Sequence, residues 1–247
     1  MPEKLTSQNF HQLASIDGNY FWFQGRLLWV QSLIKRFLSP TQNPAYADLG
    51  CGTGELAKLI SGRFKFDTTF LVDGHGFETP RLSSQEGYQF INLDLESRFD
   101  LQQQFDLITC LDVLEHLKKD REFLSTVRSH LKPEGLLVLT VPAFSSLFSS
   151  WDELWGHYRR YSKSELQERL KANGFDILFA SYFWSFLFPM AVLRKLSKKQ
   201  ETEFPTVKNG LNRFLIWSSQ VELKISRFLR LPLGTSLIVV ARPEKKL

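Results

Sequence analysis

The stretch ADLGCGTG at residues 47–54 decides the fold of this chain. It follows the short apolar run AYADL (45–49) and precedes a segment in which Leu56, Leu59 and Ile60 share one face of a helix. Three alternate glycines let the backbone turn tightly and approach a ligand closely, and the first turn of the following helix presents free N–H groups. The sequence therefore predicts a strand, a glycine-rich turn and a helix that together can bind a ligand.

Further short apolar runs follow at the spacing of a fold that alternates strands and helices. The strands predicted after the glycine-rich turn are TTFLVD (68–73), YQFINL (88–93), FDLITCL (105–111), LLVLTV (136–141), FDILFASYF (175–183) and TSLIVVARP (235–243). Helical patterns lie between the early strands, and one of them is predicted to end at Lys132-Pro133. This alternation implies right-handed crossovers, and therefore an α/β fold with a doubly wound, mostly parallel sheet.

We interpret the chain, residues 1–247, as a single domain with one insertion. The predicted parts are an N-terminal helical cap at 1–40, a ligand-binding core at 45–183, a helical insertion at 184–232 and a final strand at 235–243. The insertion is predicted because two apolar helical stretches interrupt the strand pattern after residue 183.

Composition excludes several classes of protein. The 247 residues carry a net charge of +5, and 43% are hydrophobic against 23% charged, which excludes a disordered tail or a low-complexity linker. The two cysteines, Cys51 and Cys110, exclude a disulfide scaffold and a CxxC-type zinc cluster. The first residues lack the basic and apolar regions of a signal peptide, and no charge-free run reaches the roughly 20 residues of a bilayer span. We therefore expect a cytoplasmic protein.

Acidic residues end three of the predicted strands. Asp73 ends the second strand, 23 residues after Gly50, where a carboxylate can bind both ribose hydroxyls of a nucleotide. Asp94 ends the third strand and Asp112 the fourth. Because the carboxyl ends of parallel strands share one crevice where the strand order reverses, we expect these residues and the glycine-rich turn to form one site. Asp94 could instead cap a turn, and Asp112 could cap the next helix.

These motifs, in this order, resemble class I S-adenosylmethionine-dependent methyltransferases. Within that family the likeness is strongest to the small-molecule branch that includes ubiquinone-biosynthesis-type enzymes. The residues that carry it are DLGCGTG (48–54), VD (72–73), DL (94–95), DLITCLDVLEH (106–116) and LKPEG (131–135). The resemblance covers about residues 45–175. It implies a Rossmann-like, seven-stranded sheet whose last two strands form an antiparallel pair.

The resemblance also implies a cofactor-binding set. Its members are Asp48, Gly50, Cys51, Gly52, Gly54, Asp73, Gly74, Asp94, Leu95, Leu111 and Asp112. In this set Asp48 and the glycine-rich loop hold the methionine part of S-adenosylmethionine, and Asp73 binds the ribose hydroxyls.

The rest of the set surrounds the adenine and the sulfonium. The resemblance implies that Asp94 binds the adenine amino group and that Leu95 packs near the ring. Leu111 and Asp112 then line the wall beside the sulfonium. Gly74 departs from the family, which often has a bulkier residue against adenine at that position.

The segment WDELWGHYRRY (151–161) supplies the candidate acid–base residues. It follows the fifth predicted strand, where a loop would cover the crevice, and it resembles a W-D-x-x-x-G-H-x-R-R-Y signature in bacterial methyltransferases of this group. An acceptor hydroxyl usually needs a base, and histidine is best matched to neutral pH. We assign catalysis to His157, with Arg159 and Tyr161 beside it. The alternative is that Arg159 and Arg160 pair with carboxylates and fasten the loop.

The aromatic run YFWF (20–23), with Arg26, resembles the entry segment that the same group folds over the cofactor. Packing of this run against the sheet is the other interpretation.

The sequence also narrows the acceptor. The position after the fourth strand has LDVL (111–114) rather than the Asn/Asp-Pro-Pro-aromatic motif with which base-methylating enzymes stack a flipped base, which argues against nucleic acid. The stretch 207–230 combines apolar residues at helical spacing with several basic ones. Such a helix can rest on an anionic membrane, shelter a lipophilic acceptor, or simply cap the edge of the sheet. No His, Asp and Glu cluster stands at ligand spacing, so no metal is expected.

The sequence thus predicts an S-adenosylmethionine-dependent methyltransferase that O-methylates a small lipophilic or anionic acceptor, such as a quinone-like, lipid-linked or sugar intermediate. We expect a cytoplasmic enzyme whose residues 184–230 either contact the inner face of the membrane peripherally or only cap the sheet. Two alternatives stay open. An NAD-dependent oxidoreductase could use the same glycine loop, although GxGxG preceded by Asp48 is not GxGxxG. A methyltransferase-fold protein could also bind the cofactor without turnover.

Overall fold

The structure, a computed structural model, describes residues 18–74, 86–197 and 207–245. Residues 1–17 of the predicted N-terminal cap and residues 198–206 of the predicted insertion lie outside the described residues. Within the described ranges, seven strands form one sheet.

The sheet is parallel except at one strand. The strands are β1 (Ala45–Leu49), β2 (Thr68–Asp73), β3 (Tyr88–Asn92), β4 (Phe105–Leu111), β5 (Leu131–Pro142), β6 (Phe175–Phe183) and β7 (Ser236–Pro243). Their order across the sheet is β3-β2-β1-β4-β5-β7-β6. The first five strands pair in parallel, and β7 pairs antiparallel with both β5 and β6. This arrangement confirms the α/β class, the mostly parallel sheet and the antiparallel last pair.

Seven α-helices accompany the sheet in the described part of the chain. They are α1 (Phe21–Phe37), α2 (Glu55–Phe64), α3 (Asp120–Ser129), α4 (Ser150–Leu154), α5 (Lys163–Ala172), α6 (Phe188–Ser197) and α7 (Asn209–Ile225). Both α6 and α7 lie between β6 and β7 in chain order, where the sequence predicts the insertion. Among the described helices, none is long and apolar enough to cross a bilayer.

The middle strands are buried on both faces. Every residue of β1 and of β4 is buried, which explains why AYADL and FDLITCL read as near-continuous apolar runs rather than alternating ones. Of the two acidic side chains in these strands, Asp106 is paired with a cation, since it accepts hydrogen bonds from Ala45 N and Lys132 Nζ. Burial alone would raise the pKa of Asp106, but these donors, with Lys132 foremost, hold it below its usual value.

The strand order reverses at β1, which lies between β2 and β4. The carboxyl ends of β1 and β4 therefore border a crevice, as expected for an open parallel sheet. Helix α1 packs closely on α7 because Gly25 has no side chain. A Cβ added at Gly25 would lie 2.8 Å from Ser219 Oγ. The two helices are also joined where Asn212 Oδ1 accepts a hydrogen bond of 2.8 Å from Phe21 N.

One boundary differs clearly from the prediction. The helix predicted to end at Lys132-Pro133 ends at Ser129, and β5 begins at Leu131. Leu131 pairs with Phe105, and the register of the two strands then shifts before it continues. The irregularity accommodates Pro133, which has no N–H for a strand ladder.

Candidate active site

A cavity of about 400 Å³ includes residues from the carboxyl ends of β1 and β4 in its lining. Its walls include residues from five regions of the chain: the start of α1, the glycine-rich loop after β1, the segment after β4, the loop 149–160 and helix α6. The sequence predicts the second, third and fourth of these as parts of one site, and the fold brings them together.

The glycine-rich loop turns in a backbone conformation that favours glycine. Gly50 has a φ of 74°, and a Cβ there would lie 2.3 Å from Val113 Cγ2, so the loop fits against the segment after β4 only without a side chain. Gly52 differs, because a Cβ built there would meet no described atom within 4 Å although Gly52 lines the cavity. The loop thus presents open backbone toward the cavity.

Asp48 places a buried carboxyl group at the end of β1 and in the lining of the cavity. Thr109 Oγ1 donates a hydrogen bond of 2.5 Å to its Oδ1. Burial raises the pKa of Asp48 to about 7, and the Thr109 hydrogen bond and the charge of Arg26 limit the rise. This carboxyl group is therefore half ionised near neutral pH and suited to a cationic ligand group.

Asp112 forms a second acidic group of the wall, and Arg26 holds it. Arg26 Nη1 lies 2.5 Å from Asp112 Oδ2, and Thr140 Oγ1 donates to Asp112 Oδ1 at 2.9 Å. The sequence analysis names Arg26 only as part of the aromatic run. The signal for it was available, because Arg26 is a charged residue on the apolar face of a helix, beside Phe23 and Val30.

Five of the predicted cofactor residues do not belong to the lining of the cavity as the described part of the chain forms it. They are Gly54, Asp73, Gly74, Asp94 and Leu95. Asp73 contributes indirectly, since its Oδ2 accepts a hydrogen bond of 2.9 Å from Gly52 N and so fixes the glycine-rich loop.

Gly74, Asp94 and Leu95 have structural contacts that explain which residue type stands at each position. Gly74 lies so close to the backbone of β3 and its following turn that a Cβ would be 2.5 Å from Leu93 O, which accounts for the missing bulkier residue. Asp94 is exposed, and its Oδ1 accepts a hydrogen bond of 3.0 Å from Glu96 N, as in a capped turn. Leu95 is buried in the core.

His157 lies in the lining of the cavity, oriented by a buried carboxylate. Its Nδ1 is 2.9 Å from Asp152 Oδ1, and Asp152 is fully buried. Asp152 also accepts hydrogen bonds from Arg160 Nε at 2.7 Å and from Ser149 N at 2.9 Å. Burial would raise the pKa of Asp152, but the hydrogen bond from His157 and the charge of Arg160 lower it below its usual value. Because the Asp152 carboxylate bonds to Nδ1 of His157, Nε2 is the ring nitrogen that can accept a proton from an acceptor.

The other two predicted catalytic residues lie outside the described cavity lining, in a cluster around Asp120. Arg159 Nη1 is 3.1 Å from Asp120 Oδ2, and the hydroxyl of the buried Tyr161 donates to the same oxygen at 3.0 Å. Arg169 Nη1 completes the cluster at 2.7 Å. The geometry favours the alternative interpretation for Arg159, which is that it fastens the loop, and it gives Tyr161 the same structural role.

Glu115 is a residue that the sequence analysis does not assign. It lines the cavity, is fully buried, and its two carboxyl oxygens have no hydrogen-bond partner among the described residues. Burial, and then the nearby Asp112, raise its pKa well above the usual value, which favours the neutral acid. One donor atom each from Glu115, His116 and His157 lie within 4.8 Å of one another, a grouping that could hold a metal ion. Glu115 and His116 are neighbours in the chain, but His157 is distant from both, so spacing along the chain could not reveal this group.

Aromatic and aliphatic side chains close the remaining walls. Tyr20, Phe21 and Trp22 line the cavity from the start of α1, and the ring of Trp22 lies 3.8 Å from that of Trp184. Met190 and Ala191 of α6 line the opposite part. The predicted entry segment therefore both faces the cavity and packs on the core.

The sequence of the chain matches a known family. Residues 23–179 match the family described as a methyltransferase domain.

Among curated proteins, the similarity extends to enzymes with different acceptors. The chain is 32% identical over 143 residues to malonyl-[acyl-carrier protein] O-methyltransferase from Calditerrivibrio nitroreducens, a match that covers 55% of this chain and 54% of the relative. It is 29% identical over 123 residues to the mitochondrial ubiquinone biosynthesis O-methyltransferase of Saccharomyces cerevisiae, covering 45% and 38%. The chain thus spans about half, or less, of the length of these relatives.

Solved structures show the same fold at low sequence identity. An S-adenosylmethionine-dependent methyltransferase from Clostridium acetobutylicum superposes with a TM-score of 0.58 at 14% identity, covering 97% of this chain and 98% of that chain. Phosphoethanolamine N-methyltransferase 2 of Haemonchus contortus, in complex with S-adenosyl-L-methionine, gives a TM-score of 0.63 at 17% identity, covering 97% and 58%.

Proposed function

The chain belongs to the class I S-adenosylmethionine-dependent methyltransferases, and from that premise we propose that it transfers a methyl group to a hydroxyl oxygen of a small lipophilic or anionic acceptor. Family membership argues against the NAD-dependent oxidoreductase. The observation that carries the proposal is that His157, held by the buried Asp152, lines the same cavity as the glycine-rich loop.

The residues of the cavity fit S-adenosylmethionine. The volume of about 400 Å³ lies in the range of small-molecule sites. The carboxyl group of Asp48 suits the ammonium group of the methionine part, and the open backbone at Gly52 allows close approach of a ligand. We propose that these two residues hold the methionine part, with Leu111 and Asp112 along the wall beside the sulfur. For Asp73, Asp94 and Leu95 the roles toward ribose and adenine stay predictions.

When bound, S-adenosylmethionine supplies an electrophilic methyl group on a positively charged sulfur. The chain then has two tasks, which are to align the acceptor and to take its proton. Asp152 holds the imidazole of His157 through Nδ1, so Nε2 can accept the hydroxyl proton as the oxygen–carbon bond forms and the sulfur–carbon bond breaks. Alignment of the two reactants in a closed cavity can supply about 7–11 kcal/mol of the rate enhancement.

The character of the walls supports the class of acceptor. Aromatic rings from the start of α1 and aliphatic side chains of α6 favour a lipophilic molecule. Arg160 and Arg194 also line the cavity and favour an anionic group, although Arg160 already pairs with Asp152. We propose a cytoplasmic enzyme with peripheral contact to the inner face of the membrane through residues 184–230.

The substitution His157→Gln tests the proposed base. We expect kcat to fall by about 10²–10⁴-fold, the usual contribution of a positioned base, with the affinity for S-adenosylhomocysteine unchanged. Turnover would be followed as transfer of a tritiated methyl group to the best acceptor in a panel of catechols, short-chain carboxylic acids and glycosides. Tyr158→Phe is the matched control, because this neighbour is 39% exposed and outside the cavity lining.

Three results would change the assignment. Loss of cofactor affinity in the His157 variant would make His157 part of the binding wall rather than the base. Turnover that is lost with a chelator and restored by Zn²⁺ would assign Glu115, His116 and His157 to a metal ion instead. Tight binding of S-adenosylhomocysteine without methyl transfer to any acceptor would favour the protein that binds the cofactor without turnover.

A further inference from the structure

Helix α7 carries its apolar side chains on the outside. Its outward face, continued past its end, consists of Leu211, Phe214, Trp217, Ile225 and Phe228, which are spaced three or eight residues apart and are between 45% and 94% exposed. The face packed against the protein consists of the buried Leu215, Ser219, Glu222 and Ser226, with the partly buried Ile216 and Leu223 beside them. The helix thus leaves five large apolar side chains in solvent, although an ordinary surface helix turns such side chains toward the core.

The contacts of the packed face fix this orientation of the helix. Ser219 lies where α1 crosses at Gly25, so close that a side chain at Gly25 would displace its neighbours. Glu222 accepts hydrogen bonds from Trp184 N at 2.7 Å and Ser185 N at 2.6 Å. A rotation of the helix that buried its apolar face would break these contacts. The outward face therefore needs a partner from outside the described chain.

The charges around this face favour an anionic partner. The basic residues of the segment are Lys208, Arg213, Lys224, Arg227 and Arg230, and all are exposed. Glu222 is the single acidic residue between positions 207 and 233, and it is buried. A second copy of the chain would bring the same cations together across a two-fold interface, which opposes self-association through this face.

We propose that the outward face of α7 and the following segment to Leu233 form a docking surface for an anionic lipid bilayer, with the helix lying parallel to the membrane. Tryptophan and phenylalanine at the boundary of the acyl chains, flanked by lysine and arginine, are the side chains that such interfacial helices use. The purpose of docking rests on the proposed function, because docking would hold the enzyme beside a lipophilic acceptor dissolved in the bilayer.

Site-specific fluorescence tests the docking. Both native cysteines are buried and burial raises the pKa of both thiols, so the substitution Phe228→Cys provides one reactive position for an environment-sensitive dye. We expect a blue shift of the dye with vesicles of equal parts phosphatidylcholine and phosphatidylglycerol, and none with phosphatidylcholine alone. The shift should shrink in about 1 M salt, where the Debye length falls to about 3 Å. Lys171→Cys on α5, also exposed, is the control position and should show no shift.

Charge variants give the second measurement. The pair Lys224→Gln and Arg227→Gln should weaken vesicle binding by about 25-fold, about fivefold for each cation lost near an anionic surface. The same charge change at the exposed Arg63 and Lys171, outside this face, should change binding by less than about twofold. Binding would be measured by co-sedimentation with the same vesicles.

Several outcomes would overturn the docking proposal. They are equal shifts at positions 228 and 171, no shift with anionic vesicles, and equal losses in the two charge pairs. A shift that grows with protein concentration without lipid, with a doubled molar mass in solution, would assign the face to a second copy. Docking and function fail separately, because the binding of S-adenosylhomocysteine is measured without vesicles and the dye shift without cofactor.

Discussion

Asp112 shows how single residues of the site depend on partners distant in the chain. It has a φ of 57°, a left-handed conformation that is uncommon outside glycine, and both of its carboxyl oxygens are held. Its position after β4 is predictable, since an acidic residue after an apolar run is a local pattern. Its pairing with Arg26 across 86 residues is not, because only the packing of α1 brings the two together. The sequence likewise does not show that the carboxyl group of Glu115 is buried without a hydrogen-bond partner among the described residues.

The buried carboxyl group of Asp48 predicts a pH dependence of cofactor binding. With a pKa of about 7, Asp48 is mostly protonated at pH 6 and mostly ionised at pH 8. The ammonium group of the ligand favours the carboxylate, so we expect the affinity for S-adenosylhomocysteine to rise about tenfold over this range. Calorimetric titrations at pH 6, 7 and 8 would measure it.

Asp48→Asn is the control for this prediction. Its amide oxygen can still accept the hydrogen bond of Thr109, but the residue cannot ionise. We expect weaker binding with a flat pH profile in the variant. An unchanged slope would place the titrating group elsewhere in the cavity.

Among the elements, the strands with uniform surroundings are the most predictable. The bounds of β1, β2, β4 and β6 match the predicted runs to the residue, because each is an apolar run bounded by turn residues. Helix α4 is not predicted, since five residues are too few to show helical periodicity. The sequence analysis recognises a helix at α7 but not the exposure of its large apolar side chains, because periodicity does not say which side meets the core.

The anchoring of α7 predicts an effect on stability. Glu222 holds the backbone of Trp184, a fully buried residue in the left-handed conformation, and of Ser185. We expect Glu222→Ala to lower the free energy of unfolding by about 3 kcal/mol, because two donors in this region lose their partner. Urea denaturation followed by circular dichroism would measure the loss.

Two variants of α7 bound this expectation. Glu222→Gln keeps one acceptor and should lose about half as much. Lys224→Ala, at an exposed position of the same helix, should change stability by no more than about 0.5 kcal/mol. Equal losses in all three variants would mean that the helix tolerates no substitution and that the anchor is not specific.

In the molecule as a whole, buried acids collect around the cavity. Burial raises the pKa of Asp48 and Glu115 in its wall and of Glu222 on the buried face of α7. Two carboxylates with a lowered pKa, Asp106 in β4 and Asp152 in α4, are each bonded to basic groups. The two sets influence stability in different pH ranges.

This distribution predicts how stability changes with pH without ligand. A carboxyl group with a raised folded pKa binds more protons in the folded than in the unfolded state, so its contribution is lost as pH rises. For Asp48 the loss extends from about pH 4 to about pH 7, while the lowered carboxylates lose their contribution only in acid, below about pH 4. We therefore expect the melting temperature to fall between pH 5 and pH 8, and to fall less in Asp48→Asn. A melting temperature that rises over this range would contradict the assignment.

The position of β7 has a consequence for the order of events during synthesis. This strand is the last of the described strands in sequence order, yet it lies between β5 and β6 in the sheet. While the ribosome is still making residues 236–243, β6 has no neighbour to bond with, and β5 has an open edge. Until β7 is made, the nascent chain exposes the unpaired edges of β5 and β6 together with an apolar helix. Such a state is prone to aggregation. Truncation of the chain before Ser236 would therefore separate β5 from β6 within the sheet rather than remove an edge strand.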